Sequence, residues 1–217
     1  MDSIWINQHV TPPFYPNADT LANAEAADAQ LAQIRTLLDA GIPGEWAVKD
    51  SFRSLDLVPL GFRPLFDATW IARPGTATQP NADISGIRWS KVSSATELAG
   101  WEAAWRGEPA NTTDTLPIFL PELLEYEAVA IIAAYEKGRI VAGAIANHTS
   151  EVVGLSNVFV PAEDDARFRA GCVCVVMDLF PARTIVGYEA GSDLTAFQAL
   201  GFEELGPLRI WVRDIRL

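Results

Sequence analysis

Two stretches of this chain are nearly the same phrase: PLGFRPLFDATWIA around Gly61-Phe62 and ALGFEELGPLRIWV around Gly201-Phe202. The first Gly-Phe is followed by Leu65, Trp70 and Arg73, the second by Leu205, Trp211 and Arg213. Each reads as a turn feeding a strand, the residues after it being rich in aromatic and branched side chains. The helical patterns ahead of them end at Ala40 and Phe180, so helix end to glycine is 21 residues in both copies. A chain that repeats helix, strand, helical turn and strand must bury both sets against sheet. The expectation is a chain containing two related half-units.

The periodicity of the remaining segments sets their order. Asp19 to Ala40 is predicted to be one helix, since Ala24, Ala27, Leu31, Ile34 and Leu38 recur at steps of three and four, and Gly41 and Pro43 stop it. A strand at Trp46–Val48 and a helical turn at Ser51–Leu57 lead to Gly61. Residues 76–84 lack any period and read as a linker between a first half-unit, 1–75, and a domain, 85–217. That domain opens with a strand through Trp89 and a helix capped by Ser94-Ala-Thr-Glu97, then a helical piece from Pro117 to Tyr126. Three antiparallel strands follow, at 127–136, 139–147 and 152–160, then a helix after Pro161, a strand at Thr184–Tyr188, a helix at Asp193–Leu200 and the second Gly-Phe strand.

With 217 residues, 49% of them apolar, the chain can bury a full core. Its net charge of −12, with no Lys/Arg cluster, would repel a phosphate backbone and excludes nucleic acid as the main partner. The longest apolar run, Ala128 to Tyr135, is too short to span a bilayer, and the start carries no targeting signal, so no membrane role and a cytoplasmic setting are expected. Cys172 and Cys174, the only cysteines, suit neither a disulfide nor a zinc site. His9 and His148 have no metal-ligand partner near them in sequence, so no metal is expected.

The order of elements from residue 85 to "LGFEELGPLRIW" resembles the GNAT N-acetyltransferase superfamily, and residues 13–73 resemble the C-terminal half of such a fold. The resemblance implies an α/β (α+β) fold with a mixed sheet that splays between the strands 152–160 and 184–188, with acetyl-CoA in the opening and an amine of a small molecule or protein as acceptor. Backbone of Asn157, Val158, Phe159 and Val160 would then meet the pantetheine arm. The family's phosphate loop, Q/R-x-x-G-x-G/A, falls on Arg167, Ala170 and Cys172, with Gly171 between the last two and Glu163-Asp164-Asp165 just ahead.

In that family a tyrosine often stands four residues before the Gly of Gly-Phe, to protonate the thiolate; here the position is Phe197. Tyr188 is the nearby phenol, read either as that acid or as a buried tyrosine whose hydroxyl is bonded. Glu189 is either a base for the amine or a helix cap. Strand alternation puts Asn157 on the face of Leu155 and Phe159, where its amide must bond to a ligand or to a structural network. The same residues also fit a non-catalytic GNAT-like binding module that has lost CoA binding.

Overall fold

The computed structural model describes residues 2–9, 11, 15–41, 44–108 and 116–213. Among them the elements run β1 (Ile4–Ile6), β2 (Ala18–Thr20), α1 (Ala27–Asp39), β3 (Trp46–Asp50), β4 (Arg63–Arg73), β5 (Arg88–Lys91), α2 (Ala95–Arg106), β6 (Val129–Glu136), β7 (Arg139–His148), β8 (Val152–Phe159), α3 (Asp165–Leu179), β9 (Thr184–Glu189), α4 (Gly191–Ala199) and β10 (Glu203–Arg213).

Two compact units divide the chain: Met1–Trp70 with Glu189–Gly191 and Glu204–Leu217, and Ile71–Tyr188 with Ser192–Glu203. A cut through residues 76–84 would not reproduce them, because β4 and β10 each begin in one unit and end in the other.

In the first unit β1, β2, β3, β10 and the start of β4 lie side by side. The expected helix from Asp19 is shorter than its apolar stripe suggested. Ala18–Thr20 is drawn into the sheet, antiparallel to β1 and parallel to β3. The helical path begins only after Asn23, whose side chain accepts the Glu25 N–H at 3.1 Å. Gln30, fully buried on α1, donates to the carbonyls of Ser3 and Ala22, both at 2.8 Å, and so ties the helix to the chain end and to that turn. Pro43 lies outside the described residues. Ile34, Leu37, Trp46, Val48, Leu57, Phe62 and Trp211 form the core of this unit.

In the second unit the order is β9-β8-β7-β6-β5, antiparallel except for β8 and β9. Ser94 caps α2 through the Glu97 N–H at 3.3 Å, while the Glu97 carboxylate returns to the N–H of Ser93, one residue earlier than a capping box requires. The Pro117–Tyr126 segment keeps only a 3₁₀ turn, Pro121–Glu125. Its approach is held instead by the buried Glu102 of α2, which accepts the N–H groups of Ile118 (2.9 Å) and Phe119 (3.1 Å). Ile132, Ala144, Val153, Val173, Val176 and Ile185 make the centre of the core, with α3 across the sheet.

The Gly-Phe turns are built alike. Gly61 and Gly201 have φ of 81° and 85°, the left-handed conformation in which a side chain is strained. The Gly61 N–H bonds to Val58 O and the Phe62 N–H to Leu57 O, at 2.9 and 3.2 Å; Gly201 to Gln198 and Phe202 to Phe197 repeat both distances. The arginine beside each turn comes from the other copy of the phrase: Arg213 Nε lies 3.3 Å from where a Cβ on Gly61 would stand, and Arg73 Nε lies 3.7 Å from that of Gly201.

Candidate active site

The parallel ladder between β8 and β9 is short. It joins Val152 to Thr184, Val153 to Ile185 and Gly154 to Val186, and ends there. Gly187 keeps the two backbones close one step further, since a Cβ on it would stand 3.0 Å from Leu155 O. From Ser156 onward β8 has no β9 partner in the ladder, so the two strands part.

On its other side β8 slips. Ser156 pairs with Ile145 and Phe159 with Gly143, three steps on β8 against two on β7, and the extra residue is accommodated at Asn157, whose φ is 53°. The bulge breaks the alternation that had put Asn157 on the face of Leu155 and Phe159. Phe159 beyond it is held by an aromatic cluster, with its ring 5.3 Å from Trp101, edge to face. The Trp101 indole donates to Ile132 O at 2.8 Å. Gly143 makes this possible, because a Cβ there would lie 2.3 Å from Trp101 Nε1 and 2.7 Å from both Ile132 O and the Phe159 ring. Tyr188 and Glu189, both half-buried, end β9.

The residues matched to a phosphate loop have other work in this structure. Ala170, Gly171 and Cys172 lie in the second turn of α3, all buried, with their N–H groups inside the helical ladder. A Cβ on Gly171 would stand 2.9 Å from the Trp89 ring. Burial pushes the Cys172 thiol up to about 12, so it stays protonated at neutral pH. Arg167 donates to the carbonyls of Asp83 (2.5 Å) and Ser85. Residues 76–84, expected to be a linker, belong to a strap, 74–85, that runs along α3. Arg73 reaches Thr78 O, Gln79 bonds Asp178 at 2.6 Å and the Cys174 thiol meets Pro80 O at 3.3 Å.

One residue near the site, Arg169, left almost no signal in the sequence. Arg169, 8% exposed, bridges Asp165 on its own helix and Asp193 at the start of α4 (2.6 Å), with its guanidinium 5.6 Å from the Phe197 ring. The Asp165/Arg169 spacing of four was its only trace in sequence. Phe197, at the family's tyrosine position, is 1% exposed and packs edge to face on Phe202 at 5.1 Å. The described residues hold no cluster of metal-ligating side chains, and none of their helices is long and apolar enough to cross a membrane.

A mixed sheet whose adjacent parallel strands part beside a bulge, with a helix between them in sequence, is the fold of the GCN5-related N-acetyltransferases, and this chain has that fold. A GCN5-related N-acetyltransferase from Kribbella flavida superposes with a TM-score of 0.60 over 92% of this chain and 81% of its own, at 15% identity. A conserved protein of unknown function from Staphylococcus epidermidis gives 0.66 over 87% and 79%, at 10% identity. A tandem GNAT protein from the clavulanic acid biosynthesis pathway gives 0.53 over 85% and 68%, at 12% identity. No protein-family model matches the sequence. No curated protein matches it either.

Proposed function

We propose that this protein is a GNAT-type N-acyltransferase that moves an acetyl group from acetyl-CoA to an amine of a small molecule or protein, in a reducing, cytoplasmic setting. The observation that carries the reading is the end of the β8/β9 ladder at Gly154/Val186 beside the Asn157 bulge. A strained residue there is the kind of feature that marks a ligand-binding backbone.

The fit to the co-substrate differs along its length. Backbone of Asn157, Val158, Phe159 and Val160, past the last β9 partner, suits an extended pantetheine arm added as a strand would be. The Arg167–Cys172 register does not suit the pyrophosphate, since its amides and its guanidinium are spent elsewhere. Acetyl-CoA when bound supplies an activated acyl carbon. Glu189 would take the proton of the incoming ammonium so that the free amine attacks, and Tyr188 would return a proton to the sulfur as the C–S bond breaks. Residues 1–75 are read as a partial unit related to the C-terminal half of 85–217, and the matched hydrogen bonds of the Gly61 and Gly201 turns support that reading.

A non-catalytic binding module is the second reading, favoured by the engaged Arg167 and by Phe197 in the core. Calorimetric titration with acetyl-CoA, joined to a thiol-release assay of Tyr188→Phe, separates them. The enzyme reading expects micromolar binding, and a kcat lowered by roughly 10²-fold or more in the variant. No heat at millimolar acetyl-CoA leaves the binding module.

A further inference from the structure

The first unit has an opening of its own. The parallel pairing of β2 with β3 covers Ala18↔Val48 and Asp19↔Lys49. Beyond it Ser51 turns its N–H to the Thr20 hydroxyl, at 2.8 Å. A cavity of about 580 Å³ opens there, bounded by the ends of these strands and by the Leu205–Pro207 stretch of β10. That volume is in the range of pockets that enclose small organic ligands.

Its walls are apolar and aromatic, made by Leu21, Phe52, Trp70, Leu205 and Pro207. Three of these large side chains are left to water around one mouth: Leu21 is 53% exposed, Phe52 44% and Leu205 64%. Among the described residues lining the cavity, Asp19 is the one that carries a charge. Its Oδ1 accepts the Ser51 hydroxyl at 2.6 Å and its Oδ2 accepts Lys49 Nζ, also at 2.6 Å. A carboxylate offers about four acceptor sites, so two such bonds do not saturate it. Lys49 Nζ also lies 5.3 Å from the Trp70 ring centroid, and that ring is fixed by its N–H bond to Ser51 O at 2.8 Å. An ammonium therefore already rests between this carboxylate and an aromatic ring, the pairing by which proteins recognise organic cations.

We propose that the cavity binds a small organic ammonium with an apolar or aromatic body, its charge on Asp19 and its body against Phe52, Trp70 and Leu205. An anion would meet the Asp19 carboxylate in a protein of net charge −12, whereas an ammonium can donate to the acceptor sites that Lys49 and Ser51 leave on it. A purely apolar ligand would leave the carboxylate covered without a new partner, which disfavours it.

The test is calorimetric titration of the full chain, without any acyl donor, with three indoles of like shape: tryptamine, the neutral alcohol tryptophol and the anion indole-3-propionate. Because no acyl-CoA is present, the outcome is separate from that of the acyl-transfer reading. Tryptamine is expected to bind at least tenfold more tightly than tryptophol, and the propionate more weakly than either. Asp19→Asn should erase the preference for tryptamine over tryptophol. Leu205→Lys, a change at an exposed rim position that keeps the measurement open should Asp19→Asn not fold, should weaken tryptamine by at least threefold more than tryptophol. Equal affinity for tryptamine and tryptophol, no binding of either at millimolar concentration, or a preference that survives both substitutions overturns the proposal.

Discussion

Gly143 permits a close approach of two elements, and Glu102 holds a backbone path by hydrogen bonds. An added methyl at Gly143 would collide with the Ile132 carbonyl as well as with Trp101 and Phe159, and the carbonyl belongs to a paired strand that cannot retreat. Gly143→Ala is expected to cost about 1–3 kcal/mol of stability in denaturant unfolding, the usual penalty for overpacking, and to shift the fluorescence of the displaced Trp101. Burial pulls the Glu102 carboxyl upward, but the N–H of Ile118, the Arg106 guanidinium and the N–H of Phe119 outweigh it, leaving the group below the ordinary glutamate value. A carboxyl held low in the folded state adds stability above its unfolded pKa, and that stability is lost as pH falls through the folded value. Glu102→Gln should therefore lose about 1–3 kcal/mol at pH 7, where the charge-assisted bonds are intact, and the gap to the parent should narrow as pH falls through the folded value. A gap that stays constant with pH would show that the charge contributes nothing.

At the scale of elements, α3 serves the interior more than its phosphate-loop match implied. One side meets the sheet through Phe168, Cys172 and Val176, and Gly171 lets the helix sit on Trp89. The strap 74–85 runs along it, beginning at a close approach in which a Cβ on Gly75 would stand 2.3–2.5 Å from the backbone of Ala182 and Arg183. Backbone cannot yield as a side chain end can, so Gly75→Ala should lift the strap from its seat. Limited proteolysis with subtilisin is expected to cut within 74–85 markedly faster in Gly75→Ala than in the parent, and in Arg167→Gln as well, since Arg167 holds the far end. Unchanged cleavage in both would mean that these contacts do not restrain the segment. On β8, one bulge residue redirects everything after Ser156, which alternation alone could not anticipate.

For the whole molecule, each compact unit depends on a strand end supplied from a distant part of the sequence. The first needs Glu204–Leu217, whose Trp211 lies in the Leu57/Phe62 core and whose Arg209 to Arg213 pair with β3. The second needs Ile71 and the buried Arg73, which donates to Leu200 O at 2.8 Å and reaches Met177 Sδ. Fragments 1–75 and 76–217 are therefore expected to be unfolded or molten when made separately, as judged by near-UV circular dichroism, and to regain native signal when mixed or not at all. A cooperative unfolding transition in 76–217 alone would refute the mutual dependence.

The sequence by itself determined what is decided within a few residues or one helical turn: the Ser94 cap, the strand-feeding turns of the two Gly-Phe phrases, the periods of α2, α3 and the strands β6 and β7 and, through the order of elements, the fold. Only the tertiary structure decided which unit each Gly-Phe strand completes, where the β8/β9 ladder stops, that Arg167 and its helix hold a strap, and that Asp19 lines a cavity. These outcomes rest on hydrogen bonds and packing between residues far apart in the chain, such as Arg73 with Leu200, and no local propensity carries that information.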